Sequence, residues 1–436
     1  MSDRNNAGKR MYEFAGKIFP LFRSITGEGV RKTLKLIADE TGADMKILEV
    51  PSGTKVFDWT VPPEWVIREA YIENEDHKRI IDAKENNLHV LGYSTPVDRW
   101  VELEELKEFV YTEPSQPEVI PYVTSYYRER YGFCMSENLL RSLPDGRYHM
   151  VIDSELIQGS LSIGEVVIPG KSEKEIFFST YVCHPSMADN ECSGPALAAE
   201  LIRFVSSLED REYTYRFVFL PETIGSITYL ATDGRLALLK ERMKAGFVLS
   251  CVGDDLAYSM VGSRYGKTLA DRALKCVLKG RGEFRDYSFR DRGSDERQYN
   301  APGIDLPVVA FCRSKYGTFP EYHTSADNMD FVSPEGFQGS FDVMSEVIEG
   351  LEKNGCYRIN VLGEPQLGKR GLYSTISRKG IYDRILVQRD VIAYCDGRND
   401  LFDLSERIGA PLSHILEIVE ELLEHNLLDK DEREGE

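Results

Sequence analysis

Glu175-Ile176-Phe177-Phe178-Ser179-Thr180-Tyr181-Val182 runs straight into Cys183-His184-Pro185-Ser186-Met187-Ala188-Asp189-Asn190-Glu191-Cys192-Ser193-Gly194. The first eight positions form an apolar, β-rich run with no polar face, the pattern of a strand covered on both sides. Pro185 ends it, and a helical run from Pro195 to Leu208 begins just after Ser193-Gly194. The same unit then repeats as Tyr215 to Leu220 followed by Ser226 to Arg235. Further buried-strand runs lie at Gly246 to Leu249 and Pro307 to Phe311, and a helix from Pro334 to Lys353 closes the region. Strands alternating with helices predict an α/β fold, a mainly parallel or mixed sheet with helices on both faces.

Outward from this core the pattern changes. On the N-terminal side Met11, Phe14, Ala15, Ile18 and Phe19, then Val30, Leu34 and Ile37, recur at helical spacing around a break at Ser24-Ile25-Thr26-Gly27, which predicts two helices. From Met45 to about Val110, short β-rich pieces punctuated by Pro and Gly predict a small all-β module. Beyond the basic linker Gly368-Lys369-Arg370-Gly371, the segment from Asp403 to Pro411 and the amphipathic run to Leu428 predict a winged helix-turn-helix. The expected division is an α/β domain from 1–44 and 115–357, an inserted β domain at 45–114 and a winged helix at 366–430. Asp429 to Glu436 is expected to be a disordered acidic tail.

A chain of 436 residues exceeds one ordinary core, and its 42% hydrophobic and 29% charged residues describe a folded protein. Its net charge of −19 repels phosphate backbones and anionic lipid, so neither nucleic acid nor membrane is an expected partner. The second helix of the winged module carries Glu417, Glu420, Glu421 and Glu424, which adds to that repulsion. With no signal-like or spanning apolar stretch, a cytoplasmic location is expected. The eight cysteines show no C-x-x-C pair and are expected to be reduced.

Three strand exits carry chemistry-bearing residues. His184 lies close to Asp189, Asn190 and Glu191. Glu222 follows the buried run Phe217 to Leu220. Tyr322-His323-Thr324 precedes Asp327. Taken alone, each has a structural explanation: a core histidine, an acid at a helix N-terminus, an N-cap in a polar loop. Cys183, Cys192 and Cys251 read as core, with Cys183 pointing away from His184 as neighbours on an extended segment do.

In order, however, these motifs resemble the zinc aminopeptidase superfamily that includes leucyl aminopeptidase, glutamate carboxypeptidase and glutaminyl cyclase. A fourth stretch, Gly293-Ser294-Asp295-Glu296-Arg297-Gln298-Tyr299 leading to Gly303-Ile304, adds to the likeness. Phe57 to Trp65, Phe22 to Gly29 and the winged helix extend it to a bacterial aminopeptidase-like family often linked to polysaccharide biosynthesis. The resemblance implies metal ligation by His184, Asp189 and His323 and general-base work by Glu222. Asn190, Glu191, Asp254 and Asp255 are further candidates for the metal or its surroundings, and which of Asp189, Asn190 and Glu191 faces it stays open. Asp295, Arg297, Tyr299 and Tyr322 are the candidate substrate-binding residues.

Departures from the family pattern shape the expectation. Asn190 stands at the bridging position, Thr223 where a second Glu binds metal, and Ser250 where an Asp is usual. One Zn2+ per chain is therefore expected rather than two, since a catalytic zinc needs only three protein ligands. The implied activity is hydrolysis of an amide bond next to a free amino group, in a small peptide or aminoacyl conjugate. Alternatives are a non-catalytic binding protein on a degraded peptidase fold and a one-zinc cyclase or acyltransferase. A homo-oligomer is compatible with all three.

Overall fold

The computed structural model describes residues 4–372 and 381–430, with side chains from 384 in the second segment. The expected acidic tail lies largely outside the described residues. Ala7–Ile18 and Glu28–Thr41 form the two N-terminal helices, separated where Gly27 turns the chain at φ 96°.

Eight strands form the main sheet, in the order Met45–Pro51, Ser160–Ile168, Thr214–Leu220, Glu175–Tyr181, Met243–Leu249, Val308–Cys312, Ser259–Val261 and Arg285–Tyr287. The four middle strands, Thr214–Leu220 to Val308–Cys312, run parallel; Ser160–Ile168 on one side and Ser259–Val261 on the other pair antiparallel with them, and Ser259–Val261 pairs parallel with the edge strand Arg285–Tyr287. Their successive side chains serve two cores. Phe178, Phe217, Phe219 and Phe247 pack under Ala7–Ile18, Ser193–Ser207 and Pro334–Lys353, whereas Phe177, Val218, Leu220 and Val248 pack on the other face with Ile224–Ala231. Continuous apolar strands are what a sheet buried on both faces requires.

A second sheet of four antiparallel strands orders Arg79–Asp82, Glu64–Asn74, Arg147–Ile157 and Val97–Glu102. Two strands cross the boundaries drawn from sequence. Met45–Pro51, placed in the β module by its composition, pairs along its whole length with Ser160–Ile168 of the main sheet. Arg147–Ile157, placed in the α/β domain, runs through the interior of the small sheet. Strand composition shows that a segment is extended without showing which partner it pairs with.

The winged helix packs as Leu401–Ile408 and Leu412–Glu424 around Gly409 at φ 72°, with Leu428–Lys430 pairing with Tyr357–Ile359. Arg272 clamps it to the α/β body through Asp400 at 2.6 Å and Asp403 at 2.8 Å. Among the described residues, no helix is long and apolar enough to cross a membrane.

Candidate active site

The four parallel strands end at one edge, and their exit loops bring together residues far apart in sequence. This is where α/β sheets place ligands. After Tyr181 the chain leaves the extended conformation, and Ala188–Cys192 winds into one wide π-helical turn before the helix Ser193–Ser207. Gly194 lets that helix press against the strand ends: a Cβ there would meet Thr180 Oγ1 at 2.1 Å and the Leu249 carbonyl at 2.6 Å. Thr223, Cys251, Ser186 and His323 all hold left-handed backbones, with φ 63°, 52°, 40° and 58°. Such conformations in non-glycine residues cost about 1–3 kcal/mol each and gather at functional sites.

His184 sits at the centre. Its Nδ1 lies 2.8 Å from Glu191 Oε2, and its Nε2 lies 3.6 Å from Glu222 Oε2. With Nδ1 taken by Glu191, Nε2 is the ring nitrogen that faces Glu222. Arg23 stands behind, its Nε donating to the His184 carbonyl at 3.0 Å and lying 3.6 Å from Glu191 Oε1. Burial works against charge on His184, but Cys183 and Glu191 outweigh it and hold the imidazole well above its usual range. The His323 ring centroid is 5.5 Å from that of His184, and its Nε2 is buried with no hydrogen-bond partner. Burial and then the neighbouring His184 push His323 down to about 3, so it is neutral. Tyr322 stacks on it at 3.9 Å, and Tyr122 meets both imidazoles edge-on at 5.3 and 5.1 Å.

Glu222 accepts from the Ser294 hydroxyl at 2.8 Å, and a quarter of its side chain reaches solvent. Burial raises its carboxyl above the ordinary range. Behind it, Asp295 Oδ1 accepts the Thr223 N–H at 2.7 Å and the Ser226 hydroxyl at 2.8 Å, fixing the turn that aims Glu222. Asp295 is pushed up to about 7, by burial first and by the Glu222 charge second.

Several expected residues stand elsewhere. Asp189 is half committed elsewhere: its Oδ1 accepts the N–H groups of Gly253 and Asp254 at 2.7 and 3.1 Å, stapling two exit loops together, while its Oδ2 is buried with no hydrogen-bond partner. Asn190 points toward Tyr181, whose hydroxyl accepts from Nδ2 at 2.8 Å, while Glu191 backs His184. Three consecutive side chains thus take three directions, because a helical turn rotates each residue by about 100°. Asp254 is spent on Ser314, accepting its N–H at 2.8 Å and its hydroxyl at 2.9 Å, and Asp255 faces solvent beside Ser333, so neither replaces a lost ligand.

Asp295 and Tyr299 are fully buried, the latter bonded to Ser179 at 2.8 Å, and neither reaches a substrate. Arg297 and Tyr322 remain at the site. Cys183 reverses its expectation, with Sγ 3.6 Å from His184 Nδ1 and accepting the Glu222 N–H at 3.2 Å, since alternation stops where the strand ends. Its thiol is pushed up to about 11 by burial.

Arg23, Tyr122, Ser294 and Asp327 were not singled out for the site from sequence. Asp327 accepts three successive N–H groups, those of Ala188, Asp189 and Asn190, and so holds the π turn from outside. An arginine 161 residues from its histidine has no sequence signature beyond sitting in a motif.

The donor chemistry fits a divalent transition metal on the two imidazoles. An orphaned buried imidazole nitrogen beside a histidine oriented by a carboxylate matches the way zinc-binding histidines are held. Cys183, His184 and Glu191 also place ligand atoms within 4.8 Å of one another, but on the Nδ1 side, where Glu191 already pairs with His184.

Residues 12–354 match the family model described as a domain of unknown function (DUF4910), and residues 355–430 match a winged helix-turn-helix model. A Clostridium acetobutylicum protein, provisionally described as a polysaccharide biosynthesis protein with an aminopeptidase-like domain, is 42% identical over 420 residues, 95% of each chain. A crystal structure from the same organism, provisionally described as a peptidase, superposes with a TM-score of 0.90 at 41% identity over 99% of both chains. BSAP, a zinc aminopeptidase from Bacillus subtilis, superposes at 0.57 with 13% identity, over 80% of this chain and 95% of that one, a likeness of fold.

Proposed function

Since the chain belongs to the DUF4910 family and carries an aminopeptidase-like fold, we propose that it is a metal-dependent hydrolase that cleaves an amide bond next to a free amino group. The observation that carries this is the unpartnered Nε2 of buried His323 beside His184, whose own Nε2 faces Glu222. His184 and His323 would supply two of the three protein ligands of one zinc per chain, with Asp189, by its unpartnered Oδ2, as the candidate for the third and Glu222 as the carboxylate across from them. When bound, zinc supplies Lewis acidity and lowers the pKa of a water toward ~7. Glu222 takes the proton of the attacking water and returns it to the leaving amine as the C–N bond breaks. Ser294 and the Cys183 contact orient that carboxylate, and Glu191 with Arg23 keeps His184 in the ligand tautomer.

With Asp254 committed to Ser314 through both oxygens, and Asn190 and Thr223 standing where the family pattern has acids, the second metal position is short of ligands, which supports one ion. Eight free cysteines support a reducing, cytoplasmic setting. The relative's description supports a role in polysaccharide biosynthesis. The helix Leu412–Glu424 exposes Glu417, Glu420 and Glu424, which supports an internal brace rather than a nucleic-acid reader.

Elemental analysis of purified protein, beside His184→Ala and His323→Ala, tests the proposal together with turnover of an aminoacyl-amide panel by wild type and Glu222→Gln. One zinc lost in both histidine variants, and turnover lost in Glu222→Gln, is the expected result. Turnover that Glu222→Gln leaves intact would sink the assignment.

A further inference from the structure

The cavity at the site, about 260 Å³, is lined by His184 and Glu222 on its floor and by Trp59, Tyr126, Tyr127 and Arg297 around its mouth. It falls just under the ~300–1,000 Å³ of typical small-molecule sites, so it admits one ring and its substituents rather than a length of polypeptide. Two features of the mouth keep unused binding capacity.

Arg297 is exposed, and its guanidinium makes one side-chain hydrogen bond, from Nη2 to the neutral Thr223 hydroxyl at 2.5 Å; its charge reaches Glu222, but no carboxylate among the described residues forms an ion pair with it. Arg216, Arg31 and Arg272, by contrast, each hold two carboxylates. Guanidinium is matched in shape and charge to a carboxylate.

Opposite, Trp59 and Tyr127 stand 39% and 57% exposed, their rings 5.8 Å apart and inclined at 66°. Neither the indole N–H nor the phenol of this pair has a hydrogen-bond partner among the described residues, whereas the buried Trp65 donates to the Ser94 carbonyl at 2.9 Å. Ring faces beside free donors suit a ligand that is apolar on one face and hydroxylated at its edge.

We infer that the substrate is an acidic aminoacyl saccharide, a pyranose ring that bears a carboxylate and is joined through the scissile amide to an aminoacyl group with a free amine, with the ring on Trp59 and Tyr127 and the carboxylate on Arg297. This rests on the hydrolase reading above and names its substrate class. An aryl acid would use the ring faces and Arg297 but leave the free donors unused.

Binding to full-length, chelator-treated protein tests it without turnover, and without a metal that could capture the carboxylate itself. Three probes are titrated by calorimetry: N-acetylmuramate, N-acetylglucosamine, which is the same ring without the carboxylate, and hippurate, an aryl amide acid. N-acetylmuramate should bind about 10-fold or more tighter than N-acetylglucosamine, a difference of about 1.4 kcal/mol. That ratio should fall to about one in Arg297→Gln and survive in part in Arg297→Lys, which also controls for folding. Hippurate should bind more weakly than N-acetylmuramate, and Trp59→Ala should weaken both sugars. Equal binding of the two sugars, a preference that persists in Arg297→Gln, hippurate matching N-acetylmuramate, or no saturable binding of any probe would each overturn the inference. Loss of turnover in Glu222→Gln alongside any of these would leave the hydrolase reading standing without this substrate.

Discussion

The two ends of the same parallel strands carry buried polar clusters of opposite character. At the N-terminal end, Arg216 grips Glu175 with two bonds of 2.7 and 2.8 Å and Glu165 with one of 2.8 Å, while Tyr229 donates to Glu165 at 2.5 Å and Arg235 stands 3.5 Å from it. Two guanidinium groups face two carboxylates, so the charges cancel within the protein, and of these groups only Arg235 Nε is buried without a hydrogen bond. At the C-terminal end, His323 Nε2, Glu191 Oε1, Asn190 Oδ1 and Asp295 Oδ2 are buried with no hydrogen-bond partner. A cluster that closes on itself holds strands in place, whereas one left open is organised around something the chain does not supply.

The contrast can be broken by substitution. The largest effect should come from Glu222→Gln, which is expected to reduce turnover about 100- to 10,000-fold while leaving the denaturation midpoint unchanged or slightly raised, because a neutral amide removes a buried charge. A parallel loss of stability would place Glu222 with the structural cluster instead. Arg216→Met should do the reverse, costing about 3–5 kcal/mol by stranding two buried acids, read by urea denaturation, with the metal content of the folded fraction preserved. A variant as stable as wild type would show that the N-terminal cluster is not the closed one.

Glu191→Gln sharpens the comparison further. Zinc affinity, measured by competition with a chelator, should fall about 10- to 100-fold, since Glu191 acts by holding His184 Nδ1. An unchanged affinity would detach Glu191 from the metal.

The smallest effect belongs to a third, half-open cluster on the four-stranded sheet, where His149 lies 2.7 Å from Asp98 and 3.1 Å from Glu73. Although burial opposes charge there, these two acids raise the His149 pKa. Its stabilising contribution is complete below the unfolded value of about 6.5 and disappears as pH rises through the raised folded value. Compared with His149→Gln, the wild type should lose a small melting-temperature advantage over that interval, and equal slopes would remove His149 from the account.

Much of this was legible in the residues themselves. Short runs rich in aromatic and β-branched residues, such as Ile176 to Val182 and Phe217 to Leu220, read as strands covered on both faces, so the α/β class followed from their length, their composition and their alternation with helices. His184, Glu222 and His323 stood out as strand-exit candidates, each with a structural explanation of its own, and the resemblance of their order to the zinc aminopeptidase superfamily is what joined them into one expected site.

What the sequence by itself determined, then, was the identity of the elements and the edge at which chemistry gathers, because these depend on local periodicity. Only the tertiary structure decided which way each side chain points and which distant partner it finds. Asp189, Asn190 and Glu191 diverge because a single turn rotates them apart, Met45–Pro51 joined the larger sheet because pairing depends on a partner more than 100 residues away, and Arg23 reached His184 across 161 residues. Such long-range contacts leave no local pattern, because they are set by how whole faces pack and not by the residues on either side.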